Sequence, residues 1–148
     1  MIDIENAVFN KVATTLRSEY LSTYPKLKVY GEYVEYPEEF PCVSLWQTDN
    51  YTHLMSRTLD SNEDNYVNVM FTTEVYAIGQ DKKAVAKTLA NRVDELMLGM
   101  GFTRSAMMVL PNVDWNAYRI TMRHTALVQR SINVGTGSEE ELISLLYR

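Results

Sequence analysis

Apolar residues between Asp3 and Tyr20 fall at Ile4, Val8, Val12, Leu16 and Tyr20, with Lys11, Arg17 and Glu19 on other faces. A repeat of four predicts an amphipathic helix, closed by Pro25. Leu27-Lys28-Val29-Tyr30 alternates and predicts a short strand before Gly31, and Cys42 to Thr48 predicts another. The clearest strand runs from Tyr66 to Ile78, with Val67, Val69, Phe71, Val75 and Ala77 on one face and Asn68, Thr72, Glu74 and Tyr76 on the other. One face is expected to meet a core and the other to stay open. After Gly79, Asp81 stands as N-cap of a second helix with Val85, Leu89, Val93, Leu96 and Met100 on one stripe, stopped by Gly99 and Gly101.

Phe102 to Leu110 and Ala117 to Val128 read as a strand pair joined by a turn at Pro111-Asn112-Val113-Asp114. In the second of them Tyr118, Ile120, Met122, His124, Ala126 and Val128 share the apolar face. Arg119, Thr121, Arg123 and Thr125 lie opposite, with the two arginines about 13–14 Å apart along an extended strand. Glu32 to Pro41, with four glutamates, three aromatics and two prolines, is expected to be an ordered surface loop or an irregular edge strand, and the polar segment Asp49 to Asn65 a loop. Ser138-Glu139-Glu140-Glu141 forms a capping box, Ser138 at N-cap and Glu141 at N3, so a short helix through Leu142 to Tyr147 is expected, stable only when docked. The fold class expected is α+β: an antiparallel sheet of four to five strands, two helices on one face, and a short C-terminal helix. Residues 1–134 form one domain and 135–148 a C-terminal arm.

A length of 148 residues, 46% of them hydrophobic, suits a single domain with a real core. The longest apolar runs, such as Ala106 to Leu110, fall far short of the ~20 residues a bilayer span needs, and the N-terminus lacks the layout of a secretory signal. No membrane association is expected. A net charge of −5, with scattered basic residues, gives no reason to expect sequence-specific nucleic-acid binding. The single Cys42 forms no internal disulfide and fits a reducing compartment.

Candidate chemistry is thin. Asp60-Ser61-Asn62-Glu63-Asp64 opens like a calcium loop, but Asn65 stands where the turn needs Gly and Phe71 where a bidentate Glu belongs, so a solvated loop is the better reading. His53 and His124, the only histidines, cannot build a zinc site with one Cys; His124, on an apolar strand face, reads as a hydrogen-bonded core or interface histidine. Gly99-Met100-Gly101 ends a helix, whereas a phosphate-binding turn begins one. The glutamates at 32, 35, 38 and 39 read as solvated rather than as an acid–base pair. Neither catalysis, metal nor cofactor is expected. The ten tyrosines, with Tyr30, Tyr33, Tyr36 and Phe40 close together, leave open ordinary edge packing or an interface.

Three local stretches carry a resemblance. Met1-Ile2-Asp3-Ile4-Glu5 with Val8-Phe9-Asn10-Lys11-Val12 is one; Gly31-Glu32-Tyr33-Val34 leading to Phe40-Pro41-Cys42-Val43-Ser44-Leu45 is a second. The third is Gly101-Phe102-Thr103-Arg104, then Pro111-Asn112 and Tyr118-Arg119, into Arg123-His124-Thr125-Ala126-Leu127-Val128. Together they resemble the tail-terminator, or tail-completion, proteins of long-tailed bacteriophages, a family of minor tail proteins; His124 and Thr125 stand where its pattern often has Tyr and Arg. The resemblance implies a structural virion protein and no enzyme: a ring, hexameric in the family, that caps the tail tube, ends its polymerisation and meets the head connector. The expected partners are then further copies of the chain, the tube protein and the head–tail connector protein, in the virion at the head–tail junction and in the host cytoplasm during assembly. Asn68, Thr72, Glu74, Arg119 and Arg123 are expected on the ring surface, with Tyr51, His53, Asp60 and Asp64 reaching a neighbour. The competing readings are another head–tail joining protein, a small-molecule-binding α+β module, and a host regulatory domain that dimerises through its tyrosine-rich edge.

Overall fold

The structure is a computed structural model that describes residues 2–52, 66–110, 116–129 and 146–147. Its fold is α+β, in the order α1 (Glu5–Tyr20), β1 (Lys28–Tyr30), β2 (Cys42–Thr52), β3 (Tyr66–Ile78), α2 (Lys82–Gly99), β4 (Thr103–Leu110), β5 (Ala117–Gln129) and β6 (Leu146–Tyr147). The sheet runs β1-β2-β3-β5-β4, with β6 pairing to β5.

The apolar stripes of both helices face the core, with Tyr20 and Leu96 only half-buried and Met97, outside the expected stripe, buried instead. Val8, Val12 and Leu16 of α1 and Val85, Leu89, Val93 and Met97 of α2 join Val43, Leu45, Val67, Val69, Phe71, Val75, Ile120 and Met122 in one core. Helix α1 ends at Tyr20, well before Pro25, with the Tyr24 N–H returning to the Tyr20 carbonyl. Asp81 takes the N-cap position of α2, but its side chain makes no capping hydrogen bond. At the other end the Gly101 N–H reaches the Leu98 carbonyl and the Phe102 N–H reaches that of Met97. This six-to-one closure needs a positive φ at Gly101, here 101°. It turns the chain so that Phe102 enters the core edge-on to Phe71, ring centroids 5.4 Å apart. Arg92 of α2 grips Glu19 of α1 with two 2.8 Å hydrogen bonds and ties the helices at the surface.

Four expectations need correction. The sheet is mixed, because β1 runs parallel to β2; the chain returns through residues 31–41 to start β2 alongside β1. Strand β2 continues through Asp49, Asn50, Tyr51 and Thr52, which the polar pattern assigns to a loop; pairing with Met70 to Val67, after a bulge at Thr48, satisfies their backbone whatever their side chains prefer. The second face of β3 is not open: Thr72, Glu74 and Tyr76 are all buried. Leu146 and Tyr147 do not end a helix but pair with Val128 and Leu127, where ladder hydrogen bonds replace those of a marginal helix. These two residues therefore join the chain's own sheet. The capping box, the Pro111 to Asp114 turn and residues 53–65, including the calcium-like run, lie outside the described residues.

Candidate interaction surface

The sheet face turned away from the helices is built by register. Cys42, Tyr76 and Arg119 stand in one row, Ser44, Glu74 and Thr121 in the next, and Trp46, Thr72 and Arg123 in a third. A carboxylate buried at the second row must be compensated, and it is. Glu74 accepts from the Arg119 guanidinium, from Tyr76 Oη at 2.7 Å and from Thr121 Oγ1 at 3.3 Å. Arg119 also lies over the Tyr76 ring, 5.4 Å from its centroid. Burial, then the hydrogen bond to Glu74, pushes the Tyr76 hydroxyl well above the usual phenol range. Tyr33, from the loop between β1 and β2, sits edge-on to Trp46 with centroids 5.7 Å apart and closes this end of the face. Thr72 shares a 3.1 Å hydrogen bond with Thr48 at the bulge.

The residues nominated from sequence therefore divide. Glu74, Thr72 and Arg119 sit inside a polar layer rather than on a surface, so a direct contact from Glu74 or Thr72 to a partner is corrected. Arg123 is exposed and has no side-chain partner among the described residues. Tyr51 and Asn68 meet with Met70, Thr125 and Leu127 in an open groove of about 390 Å³ at the far end of the same face. That groove carries no titratable group except the Tyr51 phenol, and it lacks the enclosure and convergent polar atoms of a small-molecule site. His53, Asp60 and Asp64 lie outside the described residues.

Sequence reasoning missed the edge. All of β4 is exposed or half-buried, and Met107, Met108 and Val109 are 45%, 44% and 51% exposed. Successive strand residues point to opposite faces, so β4 offers apolar side chains on both. The signal was present in Ala106 to Leu110, apolar at every position where a half-buried strand should alternate.

His124 occupies the helix side, fully buried, with Nε2 2.7 Å from Asp94 Oδ1; the other Asp94 oxygen meets Arg104 at 2.6 Å. Burial holds the imidazole below its usual pKa, against the pull of Asp94, and Arg104 adds to the depression. The native chain therefore binds this proton less readily than the unfolded chain, whose histidine titrates near 6.5. The stabilisation is complete above about pH 6.5 and is lost as pH falls from there toward the depressed native value. Denaturant midpoints measured from about pH 8 down to about pH 5 should fall for the wild type and fall less for His124→Gln; equal slopes would contradict this.

Burial raises the Cys42 thiol to about 11, and its side chain faces away from the helices while His124 faces them. These two cannot form a nucleophile pair. Among the described residues no group of three or more His, Cys, Asp or Glu side chains is placed to hold a metal ion, and no helix is long and apolar enough to cross a membrane.

No family model and no curated sequence matches the chain. Among the solved structures similar to it is the structure of the bacteriophage SPP1 gp17 protein, matched at 15% identity over 88% of this chain and 94% of that one, with a TM-score of 0.38. At that score the likeness carries no argument about what this chain does.

Proposed function

We propose that the chain is a structural subunit of a bacteriophage tail, one of several copies that close into a ring, cap the tail tube, end its growth and present a surface to the head connector. The reading rests first on the sequence resemblance through Gly31 to Leu45 and Arg123 to Val128. The observation that carries it in three dimensions is a pair of different exposed surfaces: the β4 edge with its bare methionines and valine, and the loop after β1 bearing Tyr33 and Tyr36, 52% and 62% exposed. Two different surfaces suit a head-to-tail contact that closes into a ring, whereas a two-fold dimer needs only one self-complementary patch. The polar layer around Glu74 gives the sheet a fixed face without offering a reaction centre.

The test is to mix the purified protein with its cognate tube protein during tube polymerisation and to image the products. The expected result is tubes bearing a ring at one end, with elongation halted as the ratio of this chain to tube protein rises. Tubes of unchanged length with no bound ring would reject the proposal.

A further inference from the structure

A solitary domain protects its sheet edges with lysines, prolines or short strands, because an unpaired edge recruits another chain. The β4 edge has little such protection. From Ala106 to Leu110 it carries no charge, and among the described residues it pairs with β5 only. The charge beside it is positive: Arg123 stands opposite Ala106 in register, exposed and without a side-chain partner among the described residues. The loop of residues 31–41, which leads off the other edge strand, β1, and packs Tyr33 over Trp46 on the sheet face, carries Glu32, Glu35, Glu38 and Glu39, all exposed, and no basic residue, with Glu39 paired to Lys28 of β1 at 3.8 Å. Exposed Tyr33 and Tyr36 stand among them, and aromatic rings pack well against methionine sulfur. The two surfaces thus differ in charge sign and match in apolar character. Two β4 edges set against each other would instead oppose like charges.

We propose that the β4 edge of one copy docks against the acidic, tyrosine-bearing loop of residues 31–41 on a second copy, head to tail. The proposal rests on the ring reading and supplies its contact. It requires that each copy use two different surfaces, so that each can be removed separately.

Sedimentation and light scattering on the wild type, two variants and the mixture of those variants test it. Met108→Asp, or Val109→Lys should the first variant lose its native circular dichroism, removes one surface; Glu35→Lys with Glu38→Lys removes the other. Each is expected to weaken self-association by on the order of tenfold or more, a loss of about 1.4 kcal/mol. An equimolar mixture of the two is expected to form a complex of two chains and nothing larger, because one intact surface remains on each partner. The proposal is overturned if the wild type stays monomeric at every concentration. It is also overturned if the loop variant assembles like the wild type while the β4 variant does not, which would mean two-fold β4 pairing. Unchanged assembly of the β4 variants overturns it too, since that edge would then play no part in the contact. A wild type that assembles in this way and yet ignores the tube protein would reject the tail role and leave the contact standing.

Discussion

Replacing Arg119 with Met should lower stability by about 3 kcal/mol, the low end for breaking a buried ion pair, because Arg119 remains about a quarter exposed. The loss comes less from the missing attraction than from what stays behind. The Glu74 side chain, 6% exposed, would be left buried without its cation, with only Tyr76 and Thr121 as donors. Adding Glu74→Gln should restore most of the loss, since the neutral amide still accepts from Tyr76 and Thr121 and no longer needs a cation. In thermal unfolding the single variant should melt roughly 10 °C below the wild type and the double variant within a few degrees of it. A double variant that melts lower than Arg119→Met would show that the pair is not what holds this layer.

Phe71→Ala should cost about 4 kcal/mol, a large share of the 5–15 kcal/mol that stabilises an ordinary domain. Phe71 is fully buried in the central strand and meets Phe102 nearly at right angles, so truncation removes both the transferred ring and its edge-to-face partner. The neighbouring β-strand backbone cannot close the cavity without breaking its ladder. Met108→Ala, on the exposed edge, should change stability by less than about 0.5 kcal/mol. Urea denaturation of the two variants measures both. If the reverse order were found, Met108 would be a core residue and β4 no interaction edge. The contrast separates positions that hold the fold from positions that are free to serve assembly.

Much of the fold was legible because period and burial agree. In α2 the stripe from Val85 to Met100 faces the core, and β3 and β5 have the bounds that their alternation gives, to within a residue. Where the sequence misled, tertiary contacts outweighed local preference. Asp49 to Thr52 look like a loop, yet a paired neighbour makes them strand; nothing in Lys28 to Tyr30 says that its partner runs parallel. Glu74 was placed on the correct face, but alternation reports direction and not exposure. What covers it are partners from elsewhere in the chain, Arg119 and Thr121 of β5 with Tyr76 beside it. For the candidate surface, Arg123 was readable as an outward strand position, whereas Tyr51 reads as part of a loop and only its pairing with Asn68 makes it strand. At Met107 to Val109 the apolar run was visible in the sequence, but its place as the last strand was not, because which strand lies last in a sheet is a property of the whole topology.

The most direct measurement is electron microscopy of tube protein polymerised with and without this chain, with tube length as the readout. Closed rings of uniform diameter at one end of tubes that have stopped growing are the predicted result. A stable dimer or monomer that leaves tube length unchanged at every ratio would contradict the account.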